Sequence, residues 1–270
     1  TRLIIMRLED KIIIVTGSCT GIGKAIAKRC VTEGAKVIIH GLEKDLGEEI
    51  VTELGSDNAV LLIEDLRNDG CPARLVELAL STFGRLDAVV NNAALVASGN
   101  IHDTDSEKFL TFISINTLAP FLLIQAALPH LRSAHGCVLN IGSINAWSGE
   151  PDLLPYSISK GALTTMTRNL GDTLMREDGV RINQINPGWV LTENEAQRKQ
   201  DHGLPSNWDS HLPSVFAPAG RILRPGEIAA AAVFWLSDEC GPVSGQVMEL
   251  EQFPLLGRNP PKDTTTIPNN

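Results

Sequence analysis

The chain has 270 residues, 43% hydrophobic and 20% charged, and its 32 acidic and 23 basic side chains give a formal charge of -9. That is enough apolar material for a sizeable core, and an acidic balance without a Lys or Arg stripe sets nucleic acid and anionic membrane surfaces aside as partners. Five scattered cysteines, Cys19, Cys30, Cys71, Cys137 and Cys240, form no Cys-x-x-Cys pair, and His202 and His211 have no metal-ligand spacing, so reduced, mostly buried thiols and no metal are expected. The opening residues lack the apolar run of a signal peptide, and no later stretch is expected to reach the ~20 residues that cross a bilayer, which implies a soluble cytoplasmic protein.

Lys11 to Val15 is a β-branched run of the kind buried on both faces of a parallel sheet. Thr16-Gly17-Ser18-Cys19-Thr20-Gly21-Ile22-Gly23 breaks it, and Ile22, Ala25, Ile26 and Cys30 then recur at helical spacing until Gly34. Glycines there let the backbone turn tightly and approach a ligand, while free amides at the helix start face an anion such as pyrophosphate. Three glycines between strand and helix favour a nucleotide over a bare turn, although Gly-x-x-x-Gly-x-Gly is not the commoner Gly-x-Gly-x-x-Gly.

The alternation continues with strands over 36–40, 59–63, 86–90, 136–141, 180–186 and 246–250. Helical patterns near 44–54, 71–83, 106–131, 155–176 and 225–236 separate them. Repeated βα units with apolar strands predict one α/β domain over about 8–252, a doubly wound parallel sheet covered by helices on both faces. Pro254, Pro260, Pro261 and Pro268 predict an extended tail over 253–270.

Ligands of open α/β sheets gather outside the carboxyl ends of the strands. Here the strands end in Thr16-Gly17, Glu64-Asp65, Asn91-Asn92, Gly142-Ser143 and Pro187-Gly188, which predicts a single active cleft. Farther on, Tyr156 and Lys160 stand four residues apart, about one helical turn, on a common face. A cation there would pull the phenol down from its usual value near 10 toward the range of general acid–base catalysis.

With the glycine loop, Asn91-Asn92-Ala93-Ala94, Ser143 thirteen residues before Tyr156, Tyr156-x-x-x-Lys160 and Asn186-Pro187-Gly188 in that order, the chain resembles a short-chain dehydrogenase/reductase of the simple one-domain type, over roughly 8–250. The resemblance implies a Rossmann-type fold and an NAD(P)-dependent oxidoreductase that interconverts a secondary alcohol and a ketone. It implies that Tyr156 exchanges the proton, that Lys160 lowers the Tyr156 pKa and bonds the nicotinamide ribose, that Ser143 bonds the substrate oxygen, and that Asn116 holds a proton-relay water. The same resemblance places Gly17, Ser18, Thr20, Gly21, Ile22 and Gly23 at the phosphates and ribose, and Leu42, Asp65, Leu66 and Asn92 at the adenosine. Pro187, Gly188, Val190 and Thr192 fall at the carboxamide. Blander roles compete for several of them: a helix cap or kink for Asn116, a turn hydroxyl for Ser143, a loop or cap residue for Asp65, and an N-cap for Thr192.

Some positions depart from the family pattern. Where NAD-preferring relatives carry Asp stands Gly41, and where NADP-preferring relatives carry Arg stands Leu42. Thr20 replaces another basic residue of NADP users. Glu43, about 20 residues past the glycine loop, leans the expectation toward NAD through the ribose hydroxyls. The last strand runs into Glu251-Gln252-Phe253 rather than the usual Asp-Gly-Gly.

The polar segment 193–220, with Asn194, Glu195, Gln197, Arg198 and Lys199, sits at the family's substrate lid and suits a sugar or polyol. A solvated loop reads from the same residues. Asn145, Trp147 and Glu150 are further pocket candidates. A non-catalytic nucleotide-sensing regulator, a 3-oxoacyl-type ketone reductase and an epimerase or dehydratase are the alternatives. The family resemblance implies a homo-oligomer, a dimer or tetramer.

Overall fold

The computed structural model describes residues 6–255 apart from 202 and 211. Strands buried on both faces can satisfy their backbones only beside other strands and their side chains only under helices, and this requirement orders the fold. The strands are β1 (Ile12–Val15), β2 (Lys36–Gly41), β3 (Ala59–Ile63), β4 (Ala88–Asn91), β5 (Cys137–Ile141), β6 (Arg181–Pro187) and β7 (Val247–Leu250). Over the described residues they form one parallel sheet in the order β3-β2-β1-β4-β5-β6-β7. Connections run one way from β1 to β3 and the other way from β4 onward, which opens a crevice where β1 and β4 diverge.

Side chains alternate across the sheet, so β1 feeds two cores. Ile13 and Val15 pack with Ile26 and Cys30 of α1 (Gly21–Thr32) and with Ile228 and Val233 of α9 (Pro225–Leu236). On the other face, Ile12 and Ile14 meet Leu75 of α3 (Cys71–Phe83) and Leu123 and Leu131 of α5 (Ala119–Ala134). Each such side chain, fully buried, contributes about 1.5–3 kcal/mol. The helix α2 (Lys44–Leu54) covers β2 and β3.

Two expectations need correction. The helix expected over 106–131 is α4 (Ser106–Ile113), a π turn (Ser114–Leu118) and α5 in unbroken sequence. Pro120 has no N–H to close the usual bond to the Asn116 carbonyl four residues earlier, so the ladder shifts register there. Ser106–Ala134, 29 residues with an 18-residue stretch of mean hydropathy 1.7, is also long and apolar enough to cross a membrane, which the sequence reading did not anticipate.

The remaining helices are α6 (Asn145–Ser148), α7 (Leu154–Asp178) and α8 (Glu193–Asp201). The lid segment thus carries a helix and a short 3-10 turn at Trp208–Ser210, although its sequence shows no apolar periodicity. Trp189 stacks on Trp208 with centroids 5.3 Å apart, over a small separate core containing Ala217 and Ile222. The expected tail beyond 255 lies outside the described residues.

All five cysteines are free and buried, and burial pushes the thiols of Cys19, Cys71 and Cys137 up to about 11 and that of Cys30 to about 12. A thiol that holds its proton is a poor nucleophile. A chromogenic disulfide reagent at pH 8 is therefore expected to label no cysteine in the native protein and all five after denaturation; rapid native labelling would contradict the buried placement.

Candidate active site

The cleft opens at the carboxyl ends of β1 and β4 and has a volume of about 1390 Å³. Gly17 opens its floor with φ +62°, and a β-carbon there would come within 2.8 Å of the Ala93 Cα. Backbone and hydroxyl bonds brace the loop from beneath. Asn92 Nδ2 donates to the Thr16 and Gly17 carbonyls at 2.9 and 3.0 Å, while Thr16 Oγ1 accepts the Asn92 and Ala93 N–H groups at 3.0 and 3.1 Å. The following helix α1 begins at Gly21 with no side-chain cap and no acidic residue in its first turn, so its leading amides stand ready for an anion. Thr20, Gly21 and Ile22 line the cleft at that point.

Across the cleft, β5 ends beneath α7. Tyr156 and Lys160 are 7% and 2% exposed. Ser143 stands beside the Tyr156 hydroxyl, where its side chain favours the ionised phenol, and Ser143 Oγ accepts the Asn145 N–H at 3.1 Å. Lys160 Nζ donates to the Ile141 carbonyl at 2.8 Å and lies 5.8 Å from the centre of the Tyr156 ring. The electrostatics differ from the sequence expectation. Burial raises the Tyr156 pKa, opposed by the Ser143 side chain, and burial alone lowers that of Lys160 to about 7. Taking each group out of water penalises its charged form, and the Ile141 carbonyl draws the ammonium toward the strand end instead of the phenol oxygen.

Asn116 stands fully buried in the π turn. Its Oδ1 accepts the Leu95 N–H at 2.8 Å, and Nδ2 donates to the Leu95 carbonyl at 3.0 Å and to Ser159 Oγ at 2.9 Å. Its side chain therefore ties the loop after β4 to α7, three residues from Tyr156. Below Ser143 runs a buried polar line. Asn91 Nδ2 donates to Asn140 Oδ1 at 2.9 Å, Asn140 Nδ2 to Thr167 Oγ1 at 2.8 Å, and Thr167 Oγ1 to Gln184 Oε1 at 2.7 Å. Gln184 Nε2 then reaches Asn186 Oδ1 at 2.7 Å, which also accepts the Ser143 N–H at 3.1 Å.

The comparisons with known proteins agree with this geometry. The family model described as enoyl-(acyl carrier protein) reductase matches residues 17–251. The chain belongs to the short-chain dehydrogenase/reductase family. It is 34% identical to an L-fucose dehydrogenase of Mus musculus over 87% of this chain and 85% of that protein. With an NADP-dependent (R)-specific alcohol dehydrogenase of Lentilactobacillus kefiri it shares 30% identity over 86% and 92%. A solved 3-oxoacyl (acyl-carrier-protein) reductase from Agrobacterium tumefaciens C58, with NADP bound, superposes with a TM-score of 0.82 at 28% identity over 93% of this chain and 96% of that one.

As a short-chain dehydrogenase/reductase, the chain is a nicotinamide-dependent oxidoreductase acting on CH–OH groups. Its glycine floor, uncapped helix start and cleft volume fit a dinucleotide, which supplies or accepts the hydride when bound. Of the residues assigned from the family pattern, the cleft wall holds Gly17, Thr20, Gly21, Ile22, Leu42, Asp65, Leu66 and Asn92 on one side. It holds Ser143, Asn145, Tyr156, Lys160, Pro187, Gly188, Val190 and Thr192 on the other.

Four assigned residues stand off the wall. Ser18 is buried with its hydroxyl donating to the Val15 carbonyl at 2.7 Å, and Gly23 is a glycine because a β-carbon would meet the Gly17 carbonyl oxygen at 2.2 Å. Asn116 lies behind the wall, and Trp147 instead stacks under the Arg168 guanidinium at 4.8 Å. Two of the blander readings are seen directly, whatever else those residues do: Thr192 Oγ1 accepts the Glu195 N–H at 3.1 Å, and Asp65 Oδ1 caps its loop by accepting the Arg67 N–H at 2.9 Å, with the Arg67 guanidinium paired to the same carboxylate. His202 and His211 lie outside the described residues.

Among the cleft residues that the sequence reading did not assign are His40, Trp189 and Glu251. The missing Asp-Gly-Gly was the one signal for Glu251. Its carboxylate accepts the Trp189 N–H at 2.9 Å, and a β-carbon on Gly188 would stand 1.8 Å from the same oxygen, so this residue latches the loop after β6.

For Lys160, between pH about 7 and its ordinary 10.5 the unfolded chain holds a proton that the folded chain has released. Stability from this group is complete above the upper value and lost as pH falls through the lower. Wild-type resistance to denaturant is expected to gain from this residue between pH 7 and 9, and Lys160→Met should flatten that gain; an unchanged slope in urea midpoints against pH would refute the depressed pKa.

Proposed function

We propose that the chain oxidises or reduces a small polyhydroxylated substrate, a sugar or polyol, with NAD as the preferred cofactor and Tyr156 as the proton donor and acceptor. The observation that carries the reading is the hydroxyl pair of Tyr156 and Ser143 on the cleft wall where β5 ends beneath α7. In the direction of reduction, the phenol gives its proton to the forming alkoxide while Ser143 bonds the same oxygen. A phenol kept protonated by burial suits that direction at neutral pH. Lys160, close to neutral pH in its own titration, completes the proton supply from behind the ring. With its carboxamide committed to Leu95 and Ser159, Asn116 would hold a relay water through its backbone carbonyl, the group that Pro120 leaves without its usual donor.

The substrate end supports hydroxyl recognition through Asn145, Glu150, Asn194, Glu195 and Arg198 on the wall. L-fucose dehydrogenases among the relatives support the same class. A 3-oxoacyl substrate is the second reading, favoured by the apolar stretch of Leu95, Val96, Leu212 and Phe216 in the same cleft. For the cofactor, Glu43 lines the adenosine end, where its carboxylate accepts the Leu42 N–H at 3.2 Å. A fixed carboxylate repels a 2'-phosphate and accepts ribose hydroxyls, and the nearby Arg67 is already held by Asp65. Five unpaired thiols support a reducing compartment, the cytoplasm.

Self-association is supported by an apolar face. Leu118, Phe121 and Leu122 near the start of α5 are 46%, 39% and 38% exposed, with Ile158 of α7 at 42%. A second copy would cover them and so explain the long apolar helix.

Reduced-nicotinamide absorbance at 340 nm, read against sugars, polyols and 3-oxoacyl thioesters, tests the function. Turnover of a sugar or polyol with a lower KM for NAD than for NADP is expected. Tyr156→Phe should abolish turnover and leave cofactor affinity intact. Turnover confined to the thioesters, or a tenfold lower KM for NADP, would overturn the corresponding part. Light scattering at micromolar concentration is expected to give a dimer or tetramer, and Leu122→Glu a smaller species; a monomeric wild type would end the assembly proposal.

A further inference from the structure

Glu251 stands just past β7, partly buried, and lines the cleft beside Gly188 and Trp189. Backbone amides fix both of its oxygens. Oε2 accepts the Trp189 N–H at 2.9 Å, and Oε1 accepts the Gln252 N–H at 2.6 Å. The segment that carries it is pinned in turn: Gln252 Oε1 accepts the Ala219 N–H at 2.9 Å, and Gln252 Nε2 donates to the Arg221 carbonyl at 2.7 Å. These bonds hold a long side chain at one place on the wall.

What the carboxylate lacks is a cation. Among the described residues Glu251 forms no ion pair, whereas Glu195, also partly buried on this wall, is paired with Arg198 at 2.7 Å and Lys199 at 3.8 Å. Glu150 is exposed to water, which screens it. Lys160 is turned to the Ile141 carbonyl, and burial brings its pKa to about 7, so at neutral pH it offers only part of a charge. Glu251 thus leaves a fixed negative charge on a partly dry wall.

Position defines what that charge acts on. Proton and hydride are exchanged with the oxygen and carbon of one C–O bond, so the reacting ring must lie beside Ser143 and Tyr156. The loop that Glu251 holds is their neighbour: the Ile144 N–H donates to the Pro187 carbonyl at 3.1 Å, and the Gly188 N–H donates to the Leu250 carbonyl at 2.9 Å. Strands β5 and β6 are adjacent, about 5 Å apart, which puts the carboxylate within on the order of 10 Å of the ring. Oxidised nicotinamide is a cation and reduced nicotinamide is neutral, so an unpaired charge at that range distinguishes them.

We propose that Glu251 sets the redox preference of the bound cofactor: its carboxylate, fixed against the loop after β6, favours the cationic, oxidised nicotinamide ring over the neutral, reduced one. This rests on the nicotinamide-dinucleotide reading of the cleft. On the protein it draws the reaction toward oxidised ring and alcohol, the direction in which a protonated Tyr156 is the donor.

Calorimetric titration of the full chain with NAD+ and, separately, NADH tests it; NADP+ and NADPH carry the same contrast. Glu251→Gln keeps the shape and an acceptor for the Trp189 N–H but removes the charge. It is expected to weaken the oxidised form about fivefold and to leave the reduced form within about twofold. Glu251→Asp keeps the charge and should keep the ratio of the two dissociation constants, whatever happens to each. A wild-type ratio in Glu251→Gln, an equal loss of both forms included, marks a loop-shaping role alone and overturns the proposal. If Glu251→Gln does not fold, Glu251→Ser is read in the same way. Wild type binding none of the four dinucleotides would overturn the dinucleotide reading as well, an outcome distinct from an unchanged ratio.

Discussion

The line of buried amides and hydroxyls from Asn91 to Ser143 is the constraint on which the site depends. It crosses β4, β5 and β6 and touches α7 at Thr167, so the strand that presents Ser143 and the helix that presents Tyr156 are fixed to one another. A net hydrogen bond contributes only about 1 kcal/mol, but an abandoned buried partner costs about 1–3. Each member therefore enforces its neighbour more than it stabilises the fold. Gly142 shows how tightly the line is packed: a β-carbon there would lie 2.0 Å from Asn186 Oδ1.

On that frame sits a pair of groups whose burial works against ionisation of either. Tyr156 holds its proton more strongly than a free phenol and Lys160 less strongly than a free amine. The two shifts move the proton affinities apart: the phenol, ordinarily near 10, goes up, and the ammonium, ordinarily near 10.5, comes down to about 7. At neutral pH the phenol is thereby kept as a proton donor while the lysine loses its hold on its own proton, so burial sets the protonation state of each. The closeness of the two residues on α7 was visible in their spacing. The direction of the shifts was not, because desolvation depends on what β5 and α7 bury together.

The rim of the cleft is built by different means. Helix α8 lies in the segment between the stacked Trp189 and Trp208, and the Glu251 latch from the end of β7 joins it around the loop after β6. None has a short-range pattern. Glu195 illustrates the point: it receives the Trp189 indole N–H at 2.8 Å and pairs with Arg198 at 2.7 Å, so a lid that reads as merely polar is internally bonded. The same bonding explains why a helix forms where apolar periodicity is absent.

The order of strands and helices, the parallel sheet, the glycine loop and the Tyr156–Lys160 spacing were legible from the sequence because each depends on residues within a few turns of one another. Apolar runs, glycine positions and a four-residue step are local facts with local consequences. Which assigned residues reach the cleft was decided only by tertiary structure. Ser18, Gly23, Asn116 and Trp147 are turned to other partners, and His40 and Glu251 are brought in from strand ends distant in sequence. The physical reason is that a buried polar atom must find its partner in space, and that partner is chosen by how strands register and helices pack, which no short window of sequence contains.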